Sequence, residues 1–140
     1  MKVSDAMTRD VRTMSPSQTI RDAARVMERL DLGFLPVGES DRLVGMITDR
    51  DIAIRGIGAG KGPDARISEI MTADVKYCYE DEDTDHVARN MGALQIRRLP
   101  VVDRNKRLVG VISLGDLAVG RGTEQAAGSA LKQISRPKAA

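Results

Sequence analysis

Apolar residues recur along this chain with two alternating periods. Ile20, Ala23, Ala24, Met27 and Leu30 fall on one helical face, introduced by Thr19 with Asp22 three residues on, a variant of the capping-box spacing. Two β-rich runs follow, Phe34–Val37 and Leu43–Thr48, and the turn-prone Gly-Glu-Ser-Asp between them predicts a hairpin. A short strand is expected near Val11–Met14, before the helix, and a short helix after Thr48. The same order then returns. A short strand is predicted near Val75–Tyr79, a helix carrying Val87, Ala88, Met91 and Leu94, and hairpin strands Leu99–Val102 and Leu108–Ser113 around Asp-Arg-Asn-Lys, with a short helix after Ser113.

The recurrence extends to the residues themselves. Met7-Thr8 aligns with Met71-Thr72, Met27 with Met91, Leu35-Pro36-Val37 with Leu99-Pro100-Val101, and Leu43-Val44-Gly45 with Leu108-Val109-Gly110, one residue being inserted in the second copy. So many matches at one offset define an internal repeat. Each copy reads β-α-β-β-α, preceded by a helical turn ending at Met-Thr. The first spans residues 1–56 and the second 66–120, joined by a Gly-rich linker at 57–65 and followed by a tail at 121–140 that can form a helix. One such unit leaves a sheet face uncovered. The expected fold is therefore α+β, two copies packed about a pseudo-two-fold axis. The linker glycines invite comparison with a phosphate-binding loop, but the Gly-x4-Gly-Lys-Ser/Thr pattern fails at Arg55 and again at Gly62.

Two copies of a Met-Thr lead-in, a Leu-Pro-Val strand and a Gly-h-h-Thr/Ser-x-x-Asp ending (h, hydrophobic) resemble a pair of cystathionine β-synthase (CBS) domains, the arrangement called a Bateman module. The resemblance covers roughly residues 2–120. The chain is similar to small stand-alone bacterial members, including the mycobacterial hypoxic response protein group. It implies a regulatory ligand sensor rather than an enzyme, with no covalent cofactor. The expected ligand is an adenine nucleotide (AMP, ADP or ATP) or a related adenosyl compound held between the copies. The resemblance also implies a disc-shaped homodimer formed through the helices, and a downstream protein of unknown identity that reads the ligand state.

The repeated ending has a chemical logic of its own. Thr48 falls at the end of a strand and Asp51 in the first turn of the next helix, where unpaired backbone N–H groups favour an anion. A hydroxyl there suits a phosphate, and a carboxylate one turn on suits the two hydroxyls of a ribose. The resemblance carries the phosphate role to Thr48 and Ser113 and the ribose role to Asp51 and Asp116. It groups Ser113 and Asp116 with Thr8, Val11, Gly33, Phe34 and Pro36. Thr48 and Asp51 are grouped with Thr72, Val75, Arg97, Arg98 and Pro100. Gly33 and Phe34 suit a purine ring, so the first group is the expected adenosine site. Arg97 and Arg98 could meet a polyphosphate or block the ring, and this leaves the second group open.

Charge and composition narrow the alternatives. Lys and Arg number 22 against 20 Asp and Glu, a net of +2 spread along the chain, and aromatics are 2% of residues. Neither a polyelectrolyte partner nor a stacking platform for single strands is suggested, so nucleic acid is not the expected partner. Residues 1–15 lack the apolar stretch of a secretory leader, no window approaches a membrane span, and the lone Cys78 suits a reducing compartment. A cytoplasmic location and no membrane partner are expected. Catalysis fares poorly, because the sole histidine, His86, lies outside both repeated motifs. His86 is read as a helix-surface residue, Cys78 as a packed strand residue, and Asp49 as a cap or solvated. Glu80–Asp85 is read as charging the start of the next helix rather than binding metal. The tail, with Ala127, Leu131 and Ile134 at helical spacing, can cover a dimer interface, dock on a partner or fray. A ligand-free protein interaction module is the alternative function.

Overall fold

The computed structural model describes residues 1–137. It divides into two compact units, Arg12–Val75 and Met1–Val11 together with Lys76–Ala140. The unit boundaries fall inside the repeats. Each unit contains the helix and hairpin of one copy and the Met-Thr lead-in of the other.

In the unit Arg12–Val75, helix α2 (Ile20–Leu30) starts at the expected capping box, Thr19 Oγ1 accepting from Asp22 N at 3.1 Å and Asp22 Oδ2 accepting from Thr19 N at 3.2 Å. It ends with Asp31 in the left-handed region, φ 54°. Strands β1 (Phe34–Glu39) and β2 (Arg42–Thr48) pair antiparallel. Ser40 and Asp41 close the hairpin with φ 52° and 63°, the primed-turn geometry that matches strand twist. The strand expected near Val11–Met14 shrinks to a parallel bridge of Met14 with Val37, and Thr72 bridges Met46 on the opposite edge. After Thr48 comes one turn of helix, α3 (Asp49–Asp51), continued as a π-helical turn over Ile52–Gly56. The core is Met14, Ile20, Ala23, Val26, Met27, Leu35, Val37, Ile47, Ile67 and Ile70. Ala24 and Leu30, expected inside, are exposed; Val26 takes their place because the buried face of α2 is centred on Ala23 and Met27.

The other unit repeats this plan. Short helix α1 (Val3–Ala6) packs beside α4 (Thr84–Leu94), and β3 (Cys78–Tyr79) runs parallel to β4 (Arg98–Val102), which pairs antiparallel with β5 (Leu108–Ser113). Thr8 bridges Val111 on the free edge of β5, as Thr72 does in the other unit. Gln95, φ 55°, ends α4 as Asp31 ends α2. Asp83 caps α4 through its side chain, so part of the acidic run does begin that helix. Glu82 accepts from Tyr79 N, and Asp81 forms a two-pronged pair with Arg104, whose guanidinium lies 4.2 Å from the Tyr79 ring centre. Leu94, expected on the buried face, is exposed.

The tail forms α6 (Glu124–Ile134), packed on α4 and α5 (Leu114–Val119). Its contact face is made of Thr123, Ala127 and Ala130, while Leu131, at helical spacing from Ala127, is 46% exposed. Small residues let the backbones approach: a Cβ on Gly92 of α4 would collide with Gln133.

Candidate functional site

Both Gly-h-h-Thr/Ser-x-x-Asp endings form the same local device. Thr48 N donates to Asp51 Oδ2 at 3.0 Å while Thr48 Oγ1 accepts from Asp51 N at 3.0 Å. Ser113 and Asp116 do likewise at 2.9 and 3.0 Å. Each hydroxyl and carboxylate therefore already serves as a reciprocal helix cap, which is what Thr19 and Asp22 do with no repeated glycine before them. Capping alone explains the spacing. The surroundings add something further.

The glycine opening each ending is where the other copy's lead-in comes closest. A Cβ on Gly110 would lie 2.6 Å from the backbone oxygen of Thr8, and one on Gly45 would lie 2.6 Å from Met71 Sδ and 3.0 Å from Thr72 O. The absent side chain lets Thr8 N and O bond Val111 at 2.9 and 3.0 Å, and Thr72 N and O bond Met46 at 2.9 Å each. Ser113, Asp116, Thr8 and Val11 thus share one unit, and Thr48, Asp51, Thr72 and Val75 share the other. Thr8 and Thr72 are exposed; Val11, Val75, Thr48, Asp51, Ser113 and Asp116 are half-buried.

The residues before each proline sit on the hairpin of their own copy. Phe34 pairs with Thr48 and Pro36 with Met46, and Gly33 O accepts from Asp49 N. Arg98 pairs with Ser113 and Pro100 with Val111, and Arg97 O accepts from Leu114 N. These are pairings within one copy, where the resemblance implies a crosswise grouping.

Sequence reasoning passed over Arg55 except as a mismatch to a phosphate loop. Its Nη2 donates to Asp51 Oδ1 at 2.9 Å and to Thr72 Oγ1 at 3.0 Å. The signal available was its position four residues after Asp51, the spacing of a helical ion pair.

The other candidates are placed as follows. Cys78 is 3% exposed and burial pushes its thiol up to about 12, so it is held as an unreactive thiol. His86 lies exposed on α4 beside Asn90 and Glu82. Asp49 is exposed, its Oδ1 accepting from Arg50 N. Among the described residues, no three His, Cys, Asp or Glu side chains converge as a metal group, and no helix is long and apolar enough to cross a membrane.

Two hairpin-and-helix units, each ending in a capped Thr/Ser-x-x-Asp with a Met-Thr segment on its open edge, define a repeated fold of mixed α and β structure. The family model for the CBS domain matches residues 3–56 and 67–119, and the chain belongs to that family. It is 44% identical over 133 residues to the CBS domain-containing protein YhcV of Bacillus subtilis, covering 95% of this chain and 94% of that one. Among solved structures, Hypoxic Response Protein I with two coordinated zinc ions is 35% identical with a TM-score of 0.77, over 84% of this chain and 97% of that one. The CBS domain pair of MJ0100, in complex with 5′-methylthioadenosine and S-adenosyl-L-methionine, is 33% identical with a TM-score of 0.76, over 84% and 93%.

Proposed function

We propose that this protein is a non-enzymatic, cytoplasmic regulatory module that binds an adenine nucleotide or a related adenosyl ligand and passes its occupancy to a partner protein. The observation that carries this reading is the double occurrence of one arrangement. A hydroxyl and a carboxylate stand at the end of a strand, and an exposed threonine from the other copy is bridged onto that strand's open edge. MJ0100, with the same fold, was solved with adenosyl ligands. In this reading Ser113 and Thr8 receive phosphate or other polar substituents and Asp116 receives the ribose hydroxyls, with Thr48, Thr72 and Asp51 as their counterparts. Val11 and Val75 flank them. The assignment of the base to Gly33, Phe34 and Pro36, and of a polyphosphate to Arg97, Arg98 and Pro100, is supported by the family resemblance alone.

Asp116 is the stronger ribose acceptor. Its Oδ2 takes the Ser113 N–H, and among the described residues no side chain meets its Oδ1. A homodimer formed through the helices belongs to the same reading, supported by the exposure of Ile54 (51%), Ile57 (63%) and Val119 (86%). A second reading, a ligand-free interaction module, is favoured by the capping role that both carboxylates already fill.

Isothermal titration with AMP, ATP, 5′-methylthioadenosine and S-adenosylmethionine, alongside Asp116→Ala and Asp51→Ala, tests the choice. Saturable binding that weakens in Asp116→Ala is expected. Folded protein that takes up none of the four ligands overturns the sensor reading and leaves the interaction module.

A further inference from the structure

Arg55 makes one half-site unlike the other. With a single nitrogen it joins Asp51, which caps the turn after β2, to Thr72, which belongs to the bridged lead-in. The Asp51 side chain is 16% exposed and that of Arg55 48%, so the carboxylate is largely covered while the guanidinium reaches solvent. Thr48 N already holds Asp51 Oδ2, and both carboxylate oxygens therefore have resident donors. The residue aligned with Arg55 in the second copy is Gly120. No side chain fits there, because a Cβ would lie 2.5 Å from Thr123 Oγ1, which is fixed by its bond to Leu117 O.

We propose that Arg55 makes the Thr48–Asp51–Thr72 half-site selective for phosphate-bearing ligands over uncharged nucleosides. The proposal rests on the adenosyl reading above. A ribose reaching Asp51 Oδ1 competes with the guanidinium for that oxygen. An uncharged nucleoside that wins this competition leaves the cation without an anion. A nucleotide brings a replacement, since arginine forms short, often two-pronged bonds to phosphate. The cation then trades one anion for another, Asp51 becomes free to meet the sugar, and the Thr72 hydroxyl is released toward the phosphate.

The test is titration calorimetry of AMP and adenosine on the wild type, on Asp116→Ala, which leaves only the Arg55 half-site intact, and on Asp116→Ala with Arg55→Gln. Thermal melts confirm folding, and Asp116→Asn, which keeps a cap acceptor, replaces Asp116→Ala if that variant does not fold. The expected result is AMP preferred over adenosine by about tenfold or more in Asp116→Ala, a preference that falls below about threefold with Arg55→Gln and returns with Arg55→Lys. Equal binding of the two ligands by Asp116→Ala, or a preference that survives Arg55→Gln, overturns the proposal. Binding by the wild type but none by Asp116→Ala also overturns it, and leaves the adenosyl reading standing. A wild type that takes neither AMP nor adenosine sinks both together.

Discussion

The unit Arg12–Val75 and the unit built from Met1–Val11 and Lys76–Ala140 use one plan with different endings. Both place a capped hydroxyl and carboxylate after the second hairpin strand, and both receive a Met-Thr segment against a glycine of that strand. After the cap they diverge. The first winds through a π-helical turn that carries Arg55 back onto Asp51; the second stays α-helical through α5 and turns at Gly120 toward α6. At Gly120, the position aligned with Arg55, the close approach of Thr123 leaves no room for a side chain.

The largest effects test whether the two cores are equivalent. Ile47 and Ile112 are aligned, each with no exposed surface. Ile47→Ala and Ile112→Ala should each cost about 2–5 kcal/mol, read as a lower urea midpoint. Losses that differ by more than the spread between those limits would break the equivalence.

Next come the glycines. Gly110→Ala drives a Cβ against a backbone oxygen, which the bridge to Val111 holds in place, and overpacking of this kind costs about 1–3 kcal/mol. Gly45→Ala first meets the flexible Met71 side chain, and its closest backbone atom, Thr72 O, stands farther off at 3.0 Å. The smaller midpoint shift is expected for Gly45→Ala; the reverse order would mean that the Thr72 segment is the more rigid of the two.

Thr123→Val is isosteric and removes the 2.6 Å buried bond to Leu117 O, a loss of about 1 kcal/mol. The variant should also loosen α6, seen as faster amide exchange from residues 124–134 with exchange in Arg12–Val75 unchanged. Equal acceleration in both units would show that the tail does not act locally.

Much of this was legible in the sequence, for reasons that particular residues make plain. The hairpins could be read because Gly-Glu-Ser-Asp and Asp-Arg-Asn-Lys demand turns between β-rich runs, and the Thr19–Asp22 box could be read because capping depends on neighbours in sequence. On α2, Ile20, Ala23 and Met27 are buried as the periodicity predicts, while Ala24 and Leu30 suit a helix equally well inside or out and tertiary packing chose Val26. The exchange of Met-Thr segments between units leaves no local trace. The family resemblance grouped Thr8 with Ser113 and Thr72 with Thr48, whereas the local pattern offers only a glycine before each Thr/Ser-x-x-Asp, and a glycine in a strand states that something approaches without saying what. Arg55 was visible as a letter but not as a contact, because its bond to Thr72 joins residues seventeen apart.

The last effect concerns Cys78, and it appears only at alkaline pH. Burial raises its thiol from 9.0 to about 12, with Glu82 adding a repulsive charge. In the unfolded chain the thiol ionises near 9, whereas the folded chain keeps its proton until about 12. Between those values the unfolded state binds fewer protons, so its contribution to stability falls as pH rises and is fully present only below 9. Urea midpoints measured from pH 8 to 11 should therefore decline more steeply for the wild type than for Cys78→Ala. Every other titrating group is common to both proteins, and its contribution cancels in the difference. The aligned position of the other unit is Met14, which carries no proton to lose, so the alkaline sensitivity belongs to the Cys78 unit alone. Amide exchange at pH 9.5 should show it as earlier opening around β3 and β4 than around β1 and β2, and equal opening of the two sheets would remove Cys78 as the cause.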